Sequence, residues 1–284
     1  MPSLDPRITP WRPDLAASSL QVIVDAPRYV EPDRRSVAVS IAPLRRAPND
    51  AAPIDTEALF GEDVDVYDEQ GGWAWAQLAW DDYVGYLPIS ALGPAITATH
   101  RVSAVRTHAY TDANIKRPPL RALSLGARVA VVDVRREFAV THDGSHIYAR
   151  HLAPLAERAP DFVAVAERFL EAPYLWGGRT SEGLDCSGLV QGALAAAGIK
   201  CPRDSDMMEA WLGEPIAFDG GLRNLARGDF VFWRGHVGVM RDAATLLHAN
   251  GWHMKVVSEP LAEAASRIQD KGGGAITSIR RLRR

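Results

Sequence analysis

Residues 60–87 recur in phase, with no gap, 65 residues further along the chain. Phe60 falls on Leu125, Gly61 on Gly126, Val64 on Val129 and Val66 on Val131. Trp73 falls on Phe138, Trp75 on Val140, Tyr83 on Tyr148 and Leu87 on Leu152. The repeated stretch has no helical period. It is built of short β-type runs, Ser36–Ala42, Val64–Tyr67, Trp73–Leu78 and Tyr83–Pro88, broken by turn residues such as Glu69-Gln70-Gly71-Gly72. A repeat of this kind predicts two copies of one small antiparallel barrel. About 60 residues just suffice to bury a core, and two copies can brace each other. We place the barrels at 35–95 and 96–157, behind a proline-rich, irregular arm at 1–34.

After Leu155 the pattern changes. Asp161 stands as an N-cap before Phe162, Val165, Ala166, Phe169 and Leu170 at helical spacing, and Pro173 stops the run. Leu189, Val190, Ala193, Leu194 and Ala197 mark a second helix that Gly198 closes. Strands follow at Asp229–Trp233, His236–Met240, Thr245–Ala249 and Lys255–Ser258. Helices followed by an antiparallel sheet are an α+β layout, which we assign to 158–284.

Composition narrows the function. A net charge of -3 gives no surface for nucleic acid, and the short runs Arg34-Arg35, Arg45-Arg46 and Arg280–Arg284 read as solvated charge. No run approaches the roughly 20 apolar residues that span a bilayer. The first twenty residues hold four prolines and no continuous apolar stretch, so with Met1 at the start the expected compartment is the cytoplasm. Two cysteines, Cys186 and Cys201, are too few for a disulfide framework, and no metal-ligand spacing accompanies them.

Cys186 opens the second helix directly after Asp185. Unpaired N–H groups and the dipole at a helix start favour a thiolate and an oxyanion. Strand alternation puts His236, Gly238 and Met240 on one face, and His248 lies in the next strand. Two adjacent strands can set these histidines side by side as base and orienter for the thiol. From spacing alone a second reading stands, a small buried thiol with two ordinary histidines. Cys201, after Lys200 in a loop, reads as an ordinary free thiol, and the other histidines have no recognisable spacing.

Five segments add a resemblance: Tyr174-Leu175-Trp176-Gly177-Gly178, Asp185-Cys186-Ser187-Gly188-Leu189-Val190, Gly228-Asp229-Phe230-Val231-Phe232-Trp233, Gly235-His236-Val237-Gly238 and His248-Ala249. In this order, over some 75 residues, they resemble the NlpC-type peptidoglycan peptidases, papain-like enzymes with a Cys-His-His triad. The paired barrels resemble the bacterial SH3-like domains that precede this domain in γ-D-glutamyl-L-diamino acid endopeptidases. The resemblance implies a papain-like α+β domain behind two all-β SH3-like barrels, with Cys186 as nucleophile, His236 as base and His248 as orienter.

It further implies that Tyr174, Asp185 and Ser187 shape the pocket for the L-Ala-D-Glu part of a murein peptide, with no cofactor. Structural roles stand beside these: core aromatic, N-cap and first-turn residue. Pro202-Arg203-Asp204-Ser205 also resembles the family, but Met207-Met208 stand where a glutamine often follows. In enzymes of this architecture the first barrel closes one end of the groove and favours a free N-terminal L-Ala. Tyr83 is the candidate contact there, with Asp50, Asp55 or Asp82 as acidic partner; its alternative is a strand aromatic. Two rival functions remain, an endopeptidase on stem peptides of intact wall and a catalytically idle peptide-binding module.

Overall fold

In the computed structural model the chain forms two compact units, residues 1–157 and 158–284. The structure describes residues 4–218, 222 and 224–283, so Met1 and Arg284 lie outside the described residues.

In the first unit, seven strands make one sheet: β1 (Asp33–Val37), β2 (Ile41–Arg45), β3 (Ile54–Leu59), β4 (Asp63–Gln70), β5 (Trp73–Leu78), β6 (Val84–Pro88) and β7 (Leu92–Pro94), in the order β7-β1-β4-β5-β6-β2-β3. The run expected at Ser36–Ala42 is in fact two strands, because the chain turns at residues 38–40. Val64, Val66, Ala74, Ala76, Leu78 and Leu87 point into the core, as strand alternation requires. Trp75 on the opposite face of β5 is also buried, and the N-terminal segment explains why. Leu15 and Ala17 pack on Tyr67 and Trp75, and the Arg12 guanidinium lies 4.8 Å over the Trp75 ring. The arm therefore has structure of its own: short strands at Trp11–Arg12, Leu15–Ala17 and Tyr29–Val30 form a small sheet.

The strand order then repeats. β8 (His100–Val102), β9 (Arg106–Tyr110), β10 (Pro119–Ser124), β11 (Arg128–Val129), β12 (Val131–Arg135), β13 (Phe138–Thr141), β14 (His146–Tyr148) and β15 (Leu152–Pro154) pair as β15-β8-β11 and β12-β13-β14-β9-β10. This is the first order with β4 divided into β11 and β12. Even the irregularities recur at the 65-residue offset: register shifts at Leu44/Arg45 and Val66/Asp68 reappear at Ala109/Tyr110 and Val131/Asp133.

The gapless alignment fails after β5. Ala74 pairs with Leu87, whereas Ala139 pairs with Ile147; Val37 pairs with Leu92, whereas Val102 pairs with Leu152. Beyond the hairpin the copies stand 60 residues apart, so Leu87 corresponds to Ile147 and Tyr83 has no tyrosine counterpart. The first copy carries a longer β5–β6 connection, Ala79-Trp80-Asp81-Asp82-Tyr83.

The second unit holds α1 (Phe162–Glu167), α2 (Cys186–Ala196) and α3 (Ser205–Trp211), then β16 (Phe230–Trp233), β17 (His236–Met240), β18 (Thr245–Asn250), β19 (Lys255–Pro260), α4 (Leu261–Ile268) and β20 (Ser278–Arg281). The Asp161 side chain accepts the Val163 and Ala164 N–H groups and so caps α1. The sheet runs from a short strand at Glu214–Pro215 through β20-β16-β17-β18-β19. Helix α2, buried along most of its length, packs on β17. That contact brings the helix start to the strand that begins with His236. Among the described residues no helix is long and apolar enough to cross a membrane, and no cluster of His, Cys, Asp and Glu has metal-binding geometry.

Candidate active site

Cys186 is the first residue of α2 and only 7% exposed. Its main-chain N–H has no acceptor among the described residues, as expected at a helix start. The sulfur receives the N–H of Val237, the residue after His236, and that of Ser187. Helix and strand thus meet at the sulfur itself. Burial, reinforced by the Asp185 charge, pushes the thiol up to about 12.

Asp185 holds this geometry together. Its Oδ1 accepts the Gly188 N–H at 2.6 Å, capping α2, and its Oδ2 accepts the Gly177 N–H at 2.9 Å, closing the Trp176-Gly177-Gly178 turn. Arg203, 1% exposed, donates to Oδ1 at 2.9 Å and Oδ2 at 2.6 Å, and to the Ser187 hydroxyl at 2.7 Å. Ser187 in turn donates to Oδ1 at 3.3 Å. A carboxylate offers about four acceptor sites, so the protein itself fills the capacity of Asp185. The helix lies so close to this turn that a Cβ on Gly188 would sit 2.2 Å from the Gly178 carbonyl oxygen, which is why the position must be glycine. Tyr174, half-buried, donates its main-chain N–H to Met254 and bridges to Leu184. Burial raises its phenol, and the nearby Cys186 and Asp185 add to the shift.

Across the sheet, the β17–β18 register, Val239 with Leu247 and Met240 with Leu246, sets His248 opposite Gly238. His236 lies two residues along on the same face, one pair away. Here too the glycine makes room, since a Cβ at 238 would fall 3.2 Å from the His248 Cβ. The rings meet, with His236 Nε2 2.8 Å from His248 Nδ1.

Beyond them lies a residue that the sequence reading missed. Glu259 on β19 pairs with Leu246, so it shares the face of His248. Its Oε1 is 2.7 Å from His248 Nε2, and Arg267 on α4 donates to both of its oxygens at 2.6 Å. Hydrogen bonds from His248 and Arg267 hold its carboxyl at about 2, although burial works the other way. Period-two alternation from Lys255 through Val257 to Glu259 is the signal that would have pointed to it.

These contacts assign the ring protons. An ionised carboxylate only accepts, so His248 Nε2 carries a hydrogen toward Glu259. His248 Nδ1 is then bare and accepts from His236 Nε2–H, which leaves the lone pair of the His236 ring on Nδ1. Asn250 Nδ2, a donor, stands 3.0 Å from His248 Nε2 but makes no hydrogen bond to it in this tautomer, while its amide oxygen accepts the His253 main-chain N–H at 2.9 Å. Burial, reinforced by the neighbouring His248 ring and the Arg267 guanidinium, lowers His236 to about 3, and burial also lowers His248. Charging either Cys186 or His236 alone is disfavoured. Burial therefore favours the neutral form of each group at rest.

Tyr83 lies in the first unit, 4% exposed, within the first barrel's core, and its N–H is bonded to Asp81 Oδ1 at 3.2 Å. It also borders a surface cavity with Asp5, Arg7 and Asp55. Of the acidic candidates, Asp55 is paired with Arg46 at 2.6 Å, Asp50 is exposed, and Asp82 sits at φ +64° in the β5–β6 turn. Cys201 is a free thiol in the loop before α3, as expected, and is buried at 1% exposure.

With this geometry in view, residues 171–269 match the NlpC/P60 family model, and residues 44–92 match that of the bacterial dipeptidyl-peptidase SH3 domain. A γ-D-glutamyl-L-lysine dipeptidyl-peptidase of Bacillus cereus is 24% identical over 208 residues, 64% of this chain and 61% of that one. Its namesake in Bacillus subtilis is 27% identical over 226 residues, 69% of this chain and 72% of that one. The crystal structure of an NlpC/P60 family protein from Bacillus cereus superposes with a TM-score of 0.72 over 88% of this chain and 99% of that one, at 18% identity. That likeness establishes a common fold. Residues 171–269 are thus an NlpC/P60 domain of papain-like fold, which this chain joins to a bacterial dipeptidyl-peptidase SH3 domain at residues 44–92.

Proposed function

We propose that the chain is a cysteine peptidase that hydrolyses the γ-D-glutamyl-L-diamino acid bond of murein peptides bearing a free N-terminal L-Ala. The reading rests above all on the hydrogen-bonded chain Glu259–His248–His236, whose last residue directly precedes Val237, the residue that brings its N–H to the Cys186 sulfur at the start of α2. The two Bacillus relatives are named for a γ-D-glutamyl-L-lysine bond, which is of this class.

In this reading the Cys186 sulfur attacks the γ-glutamyl carbonyl carbon as its proton passes to His236 Nδ1. The oxyanion that forms faces the unpaired Cys186 N–H. The C–N bond breaks, His236 returns the proton to the departing amine, and a thioester remains. Water then adds to the thioester with His236 as base, the C–S bond breaks, and the thiol regains its proton. His248 keeps the His236 ring in the tautomer that presents Nδ1, and Glu259 does the same for His248. Tyr174, Asp185 and Ser187 flank the acyl half of the substrate. Recycling of free peptides in the cytoplasm is part of this proposal, and fractionation of cells is its test.

The decisive assay is L-Ala-γ-D-Glu-diaminopimelate with and without N-acetylation, followed by mass spectrometry. A closed end that pairs the ammonium should make the acetylated peptide worse by roughly 1–3 kcal/mol, about 5- to 150-fold in kcat/KM. Equal rates on both peptides would favour an endopeptidase on intact wall, and absence of turnover the idle module.

The proton chain makes its own prediction. Glu259→Ala should lower kcat about 10- to 100-fold, as loss of an orienting partner does elsewhere. Glu259→Gln, whose amide oxygen still accepts from His248, should recover much of that loss. Because the folded-state pKa of Glu259 is depressed, its stabilising effect is complete above about 4.5 and vanishes as pH falls through about 2. Stability curves of the wild type and of the Glu259→Gln variant should therefore differ at neutral pH and converge in strong acid. Equal activity of the alanine and glutamine variants would remove Glu259 from the mechanism.

A further inference from the structure

Two side chains compete for one nitrogen of His248. Glu259 Oε1 lies 2.7 Å from Nε2, and Asn250 Nδ2 lies 3.0 Å from it. A carboxylate only accepts and an amide nitrogen only donates, so the two make opposite demands on that atom. The Asn250 amide cannot turn round, because its oxygen is committed to the His253 main-chain N–H at 2.9 Å and stands 3.1 Å from the His253 ring Nδ1. Asn250 is 7% exposed, and its Nδ2 has no other acceptor among the described residues. A buried donor is thus aimed at Nε2, and it is satisfied only when that nitrogen is bare.

The histidine chain has a second state that satisfies it. In the first state His248 Nε2–H donates to Glu259, His236 Nε2–H donates to His248 Nδ1, and His236 Nδ1 is bare. In the second each hydrogen sits on the other nitrogen of its ring. Asn250 then donates to His248 Nε2, His248 Nδ1–H donates to His236 Nε2, and His236 Nδ1 carries hydrogen. Each ring keeps one hydrogen throughout, so no net charge moves. Only the first state can take the thiol proton at Nδ1.

The position of Glu259 disfavours the second state. With Nε2 bare, its lone pair would face Oε1 across 2.7 Å with no hydrogen between them. The carboxylate could escape by turning away, and Arg267 prevents that. Its guanidinium donates to both oxygens at 2.6 Å, and both side chains are largely buried. The clamp is local in sequence. Helix α4 follows β19 directly, Leu261, Ala264 and Ile268 seat it on the core, and Arg267 comes back to Glu259 from eight residues on.

We infer that Arg267 and Asn250 are opposed positioning residues: Arg267, through Glu259, holds the histidine chain in the tautomer that leaves His236 Nδ1 open, and Asn250 supports the reverse one. The meaning of that choice for catalysis rests on the peptidase reading above.

Nitrogen NMR of labelled histidine rings tells a bare nitrogen from one that carries hydrogen, so the test does not need turnover. In the wild type, Nδ1 of both rings should read as bare. Arg267→Met should shift both rings toward the reverse tautomer and lower kcat about 10-fold, with KM changed less than about twofold. Arg267→Lys keeps the charge but not the fork and should fall between. Adding Asn250→Leu to Arg267→Met should restore the ring signals and most of kcat, because the competing donor is gone. Unchanged ring signals in Arg267→Met, even with stability lowered, would overturn the inference and leave Arg267 as an anchor of α4. A loss of kcat that Asn250→Leu fails to relieve would overturn it too; should the double variant not fold, the ring signals of the single variant decide. If the signals reverse as expected but the wild type hydrolyses neither tripeptide, the tautomer control stands and the peptidase reading falls.

Discussion

Replacing Cys186 by alanine is expected to lower kcat at least ~10³-fold, the scale of losing a triad nucleophile. The fold should survive, because the side chain is small and the substitution leaves the Asp185 cap, the Gly188 approach and the α2–β17 contact untouched. Coincident unfolding curves for the two proteins, with turnover lost only in the variant, are the expected pair of measurements. Cys201→Ser serves as control. That thiol is buried and is not a member of the Glu259–His248–His236 chain, so its replacement should leave kcat nearly unchanged even if stability falls somewhat. Near-normal turnover by the alanine variant would remove the central claim, and a comparable loss at Cys201 would show that the wrong thiol had been chosen. Iodoacetamide adds a check on the proton chain: His236→Ala should slow alkylation of Cys186, since the sulfur then has no neighbour to take its proton.

The largest effect on stability is expected at Arg203. Its guanidinium forms a two-pronged contact with Asp185 in a site where both side chains are almost wholly buried. Arg203→Met would leave the carboxylate with two main-chain N–H groups and the Ser187 hydroxyl but no cation. Breaking a buried pair from one side costs about 3–5 kcal/mol, chiefly through the charge left behind. Urea unfolding should register that loss. The double variant Arg203→Met, Asp185→Asn should recover part of it, since no lone charge remains. Activity should fall with the pair, because Asp185 also caps the helix that carries Cys186 and closes the turn at Gly177. A variant that lost activity with unchanged stability would mean that Arg203 contacts substrate and is not chiefly a structural partner.

Local sequence was enough to read the features whose causes are local. The Asp161 cap, the opening of α2 after Asp185 and the bounds of β17 depend on residues within a few positions of one another, and sequence reasoning reached each of them. It also set His236 and His248 on neighbouring strands, since alternation and a short turn leave few other arrangements. The repeat was legible for the same reason through β5, because periodic apolar positions are printed in the chain.

Only the tertiary structure decided the rest. The five-residue difference in length between the two hairpins was invisible because Tyr148 and Leu152 happen to be apolar or aromatic at the gapless offset, and only strand pairing shows that they align with Pro88 and Leu92. Arg203 stood in a segment that resembles the family but without a partner, and Glu259 carried no signal that was read. What made each a determinant was burial beside a partner distant in sequence: 18 residues for Arg203 and Asp185, 11 for Glu259 and His248. A desolvated charge must find its counterpart, and which one it finds depends on how separate segments pack. The residue types at this site could therefore be named from the sequence alone, whereas the proton chain and the ion pair that hold them in register required the folded chain.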